Sequence, residues 1–93
     1  MIKFIKLSKV QRDSRFSLDE IWINPDSILQ IRSDPTMKSN LVKGRLPKDL
    51  DAQLEFSCVQ FGSGNNVSAV TVVGSPSILA EKIFSTNKEL LKG

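Results

Sequence analysis

The stretch QLEFSCVQFGSGNNVSAVTVVGSPSILAEKI, residues 53–83, constrains the fold more than any other part of the chain. Two β-rich runs are joined by Gly-Ser-Gly-Asn-Asn, residues that tolerate positive φ, and this pattern predicts an antiparallel hairpin. In the first run Leu54, Phe56 and Cys58 alternate with Glu55, Ser57 and Val59, which gives one strongly apolar face and one mixed face. The second run, Val67 to Val73, is β-branched almost throughout. At Ser75-Pro76 the period changes. Serine caps a helix, and proline fits the first helical position because its missing N–H costs nothing there. Leu79, Ala80, Ile83, Asn87, Leu90 and Leu91 then share one stripe at helical spacing, with Glu81, Lys82, Lys88, Glu89 and Lys92 beside it or opposite. Lys88 and Lys92 suit the C-terminal end of the helix dipole. A helix entered so directly from a hairpin is expected to lie across the sheet and close its core.

Upstream, MIKFIKLS starts as a strand with Ile2 and Phe4 on one face and Ile5 and Leu7 on the other. That phase switch predicts a bulge or a strand covered on both sides. Residues 9–15 are polar and basic and form a loop. FSLDEIWIN returns to β character, with Trp22 opposite Ile21 and Ile23. Pro25 cannot donate to a ladder, so this strand ends by Asn24. Asn24-Pro25-Asp26-Ser27 is expected to be a turn in which Asn24 or Asp26 bonds the backbone ahead of it. SILQIR resumes a strand, with Leu29 and Ile31 on one face and Ile28 on the other. Residues 33–52, SDPTMKSNLVKGRLPKDLDA, lose all periodicity and form an irregular basic insertion, within which NLVKGRL fits a short hairpin or edge strand.

The expectation is therefore a single α+β domain over residues 1–93: a small antiparallel β-sheet or open barrel of about four to five strands with one C-terminal α-helix. No apolar run approaches the ~20 residues of a membrane span. Lysines at 3, 6 and 9 interrupt the N-terminal apolar positions, unlike a signal peptide, so a cytoplasmic location is expected. One cysteine and no histidine exclude an internal disulfide, disfavour a structural zinc site, and remove the usual general base. Cys58 falls on an apolar strand face and is expected in the core. Asp49 and Asp51 form a carboxylate pair best explained as a solvated loop, and Gly62-Ser63-Gly64 lacks the Lys-Ser/Thr and helix of a phosphate loop. The chain is expected to be non-enzymatic, with no cofactor or metal.

The segments MIKFIKLS, IWINPDSILQIR, LEFSCVQFG and VSAVTVVGSPSILAEKI resemble, in order and character, the FlbD family of small flagellar-accessory proteins. The matching residues are Ile2, Lys3, Ile23, Asn24, Pro25, Asp26, Ile28, Ile31, Gly62, Val72, Val73 and Ser75. The resemblance implies a sheet-plus-helix domain without known catalysis, in a bacterial or phage setting. The sequence departs from the short members at the 33–52 insertion and in a longer Gly62 loop.

One helix shields one side of a sheet. Apolar residues on the other side would then be buried by self-association, with Trp22, Ile28, Val70 and Val72 as the candidate interface of a homo-oligomer. The alternative is a nucleic-acid-binding accessory protein that uses a basic N-terminal strand and loop. Lys38, Lys43, Arg45 and Lys48 carry no acid among them, and Lys3, Lys6, Lys9, Arg12 and Arg15 crowd the first strand and its loop. The bland reading of both sets is a solvated basic surface on a protein of net charge +3.

Overall fold

The computed structural model describes residues 1–10, 15–47 and 50–92, of which 86–92 are described as helical backbone alone. The strands are β1 (Ile2–Lys9), β2 (Phe16–Ile23), β3 (Ile28–Ser33), β4 (Phe56–Ser63) and β5 (Asn66–Val73). The helices are α1 (Pro35–Val42) and α2 (Pro76–Lys92), and a single 3₁₀ turn spans Pro25–Ser27. All strand pairs are antiparallel and form one five-stranded sheet in the order β2-β1-β5-β4-β3. The fold is α+β, with the C-terminal helix at the expected place.

Every sequence-adjacent pair of strands is hydrogen-bonded except β2 and β3, which form the two edges. Those edges are joined by Asn24–Ser27 alone. A flat sheet would hold them about 19 Å apart, at ~4.8 Å per strand gap. A compact turn rising roughly 2 Å per residue cannot bridge that width. The sheet must therefore curl so that its edges approach at this corner. The turn is fixed by its own polar groups: Asn24 Oδ1 accepts from Asp26 N–H at 3.0 Å, and Ser27 Oγ donates to the Asn24 carbonyl at 2.8 Å. At the β4–β5 corner the strands extend further than their β-rich runs, with Ser63 opposite Asn66. Only Gly64 and Asn65 turn the chain, and Gly64 takes the positive φ (57°) that the first central residue of a type II′ turn requires.

Register sorts the side chains into two layers. Ile2, Phe4, Ile21, Ile23, Val59, Phe61, Val70 and Val72 share one face, and α2 packs on it through Leu79 and Ile83. Val59 and Val72 have no exposure at all. Ser57, on the strand face that looked mixed, is equally buried and donates its hydroxyl to the Gly74 carbonyl at 2.7 Å. Lys82 of α2 donates to the Lys3 carbonyl at 2.6 Å, and its ammonium lies 5.6 Å from the Phe4 ring centre, which ties the helix to β1.

The second face is closed as well. Leu7, Phe56 and Val73 meet Met37, Leu41, Leu46, Leu50 and Leu54 there. The segment expected as an irregular insertion is thus the second layer of the core, and NLVKGRL is neither hairpin nor edge strand. Asn40–Val42 complete α1, and Lys43-Gly44 turn away from it. The physical reason lies at Asp34-Pro35, which repeats the cap-plus-proline signal of Ser75-Pro76. Asp34 Oδ1 accepts from Met37 N–H at 3.1 Å, and its Oδ2 accepts from Thr71 Oγ1 at 2.8 Å, so one carboxylate starts the helix and pins it to β5. Lys38 donates to the carbonyls of Ala52 (2.9 Å) and Leu54 (2.7 Å), tying the returning segment to α1. The phase switch in β1 is explained by coverage on both sides.

Candidate functional site

The four residues expected at an interface divide sharply. Val72 is fully buried, and Val70 and Ile28 are half-buried against the α2-face core. The expectation that they stand uncovered is corrected by strand parity. Val70 lies opposite Val59 and Val72 opposite Ser57, so both point to the side that α2 closes. Ile28 joins them through an irregularity in register between Ile28 and Gln30, which turns both Ile28 and Ile31 inward and leaves Leu29 56% exposed. That bulge has no sequence signature here, so the simple alternation misplaced both residues. Trp22 alone stays outside, 57% exposed on β2 and opposite Lys3.

Trp22 sits near the end of an edge strand, and the ladder shows which backbone groups of β2 face away from the sheet. Val10 N–H donates to the Arg15 carbonyl at 3.1 Å, which makes that pair hydrogen-bonded. Antiparallel pairs alternate between bonded and non-bonded, so Ser17, Asp19, Ile21 and Ile23 bond inward to β1. Phe16, Leu18, Glu20 and Trp22 then direct N–H and C=O outward. The Phe16 N–H confirms the phase by donating to the Arg45 carbonyl at 2.8 Å. Among the described residues, no hydrogen bond reaches the outward groups of Leu18, Glu20 or Trp22. Glu20 is 3.6 Å from Lys3 Nζ, an exposed pair that partly offsets the charge of the edge.

The basic candidates also separate. Lys38 is committed to the Ala52 and Leu54 carbonyls, so it supports the fold rather than offering a charge to a ligand. Lys43 is exposed. Arg45 is half-buried and donates Nη1–H to Asn40 Oδ1 at 3.2 Å. Lys48 lies outside the described residues, as do Arg12 and Asp49. Asp51 is exposed, and its carboxylate accepts from Gln53 N–H at 2.8 Å in a turn. Cys58 is half-buried on the α1 face rather than in the core proper, beside Gln30, Arg32, Gln60 and Ala69 in a shallow groove.

Among the described residues no group of three or more His, Cys, Asp or Glu side chains is placed to hold a metal ion. No helix among them is long and apolar enough to cross a membrane. No family model matches the chain, and no curated protein or solved structure matches it.

Proposed function

We propose that this protein is a small non-catalytic interaction module that pairs with a second copy of itself along the β2 edge. The reading is supported above all by Trp22: a largely exposed tryptophan on an edge strand whose outward backbone groups at Leu18, Glu20 and Trp22 meet no other described residue. Edge strands template further strand pairing, and an indole supplies a large apolar area to bury when they do so. Register follows from charge. A two-fold axis through Ile21 sets Glu20 of one copy opposite Trp22 of the other, whereas an axis through Glu20 sets two carboxylates face to face, which is unfavourable. The pairing centred on Ile21 is the one proposed, and closed two-fold association stops at the dimer.

Sedimentation velocity tests the reading. The native chain should show a concentration-dependent dimer, and Trp22→Lys should abolish it. Val67→Lys, at an exposed position on β5 away from the edge, should leave it intact. A native chain that stays monomeric at its highest soluble concentration, or a dimer that survives Trp22→Lys, rejects the proposal.

A further inference from the structure

Resting on the β2-edge pairing proposed above, the geometry around Glu20 gives Lys3 a role of its own. Lys3, Glu20 and Trp22 lie on the face of the sheet where α1 packs. Glu20 and Trp22 share the side-chain phase of Leu18, and Lys3 shares that of Leu7. Lys3 stands directly across the ladder from Trp22, and its Nζ is 3.6 Å from Glu20 Oε1. Both charged side chains are open to solvent, at 43% for Lys3 and 61% for Glu20, so a second copy can reach them. The contact from α2 uses the Lys3 backbone carbonyl, which leaves the ammonium to Glu20.

A two-fold axis through Ile21 sets Glu20 of each copy opposite Trp22 of the other. The two Glu20 residues are then diagonal neighbours, with Cα atoms roughly 7–8 Å apart, a spacing that long side chains can bridge. The two Trp22 residues occupy the other diagonal. The centre of the interface is thus a quartet of two indoles and two carboxylates. Left to itself it sets two like charges beside rings that are being drawn out of water, and this opposes association. With one Lys3 from each copy the quartet is neutral. We infer that Lys3 is the residue that licenses pairing of the β2 edge, because its ammonium neutralises Glu20 and lets the second copy's Glu20 and Trp22 sit beside it. The dimer then depends on a positive charge at position 3. Removing that charge weakens association through Glu20 and not through the fold.

The test is a double-mutant cycle on the full chain, read by sedimentation velocity at low and moderate salt. Lys3→Gln should raise the dimer dissociation constant about threefold or more, since the two-fold axis counts a modest exposed ion pair twice. Lys3→Arg, which keeps the charge, should stay near native. Added salt should narrow the gap between Lys3→Gln and the native chain, because it screens the repulsion between carboxylates. Combining Lys3→Gln with Glu20→Gln should restore the native constant to within about twofold. An unchanged constant in Lys3→Gln overturns the inference and leaves the edge pairing in place. A loss that Glu20→Gln does not restore also overturns it, because Lys3 would then act by packing on Trp22. A native chain that never dimerises rejects the edge pairing itself, and the role of Lys3 with it.

Discussion

Val72 and Thr71 are neighbours on β5, yet they belong to layers built in different ways. Val72 faces α2 in a layer of aliphatic and phenyl groups that Leu79 and Ile83 of the helix cover. Thr71 faces the other side, where its hydroxyl goes to Asp34, the residue that both caps α1 and anchors it. The α2 face is held mainly by hydrophobic burial among fully buried strand residues, with Lys82 adding a bond to the Lys3 carbonyl. The α1 face is held by a short helix and an extended return, and each depends on a few polar clamps at Asp34 and Lys38. An eight-residue helix has little stability of its own, so its place is set by what it docks on and what holds its ends. The two layers should therefore fail differently.

The largest difference is expected from truncating core residues. Phe4→Ala in the α2-face core should cost about 3–5 kcal/mol, a large share of the stability of a domain this size, and should show as a marked fall in the urea midpoint of unfolding. Met37→Ala, the equivalent change in α1, should cost about 2–3 kcal/mol. It should leave the β-sheet signal in circular dichroism unchanged at low denaturant. Equal damage from both would mean that the layers are a single cooperative unit. The polar clamps come next. Asp34→Ala removes a helix cap and the bond from Thr71, and should cost about 1–2 kcal/mol. Its signature should be faster amide exchange through residues 37–42, with the protection of Val59 and Val72 retained. Lys38→Met keeps most of the side-chain stem but loses both carbonyl contacts. It should cost about 1 kcal/mol and loosen residues 50–54 alone, as read by limited proteolysis.

The same contrast explains what could be read from the sequence. The β4–β5 hairpin, α2 and the Asn-Pro-Asp turn were legible because each rests on local signals: alternation, a helix cap with proline, and an Asx bond within the turn. The placement of α2 on the sheet followed from its stripe. The segment over residues 33–52 was not legible as a core layer. Its apolar residues (Met37, Leu41, Leu46, Leu50 and Leu54) are spread over a helix, a turn and an extended return, so no single period links them. Asp34-Pro35 did carry a helix-start signal, but the scattered lysines and serines after it hid the short helix. The candidate interface differs from the structure for another reason, the parity and register of β5 and β3. Val70 and Val72 fall by strand parity on the side that α2 closes, and the register irregularity in β3 turns Ile28 there too, so of the four only Trp22 is left exposed. The basic residues separated on hydrogen-bond geometry, which no charge count contains: Lys38 serves the fold, while Arg45 bonds Asn40.

What the two layers leave open is the edge of the sheet, and the most direct measurement is there. Amide exchange rates of Leu18, Glu20 and Trp22, followed by NMR over a dilution series, report whether the outward N–H groups of β2 find acceptors in a second copy. The account predicts protection at these three amides that falls with dilution and vanishes in Trp22→Lys, while Asp19 and Ile21, bonded to β1, stay protected throughout. Rapid, concentration-independent exchange at Leu18, Glu20 and Trp22 in the native chain would contradict it.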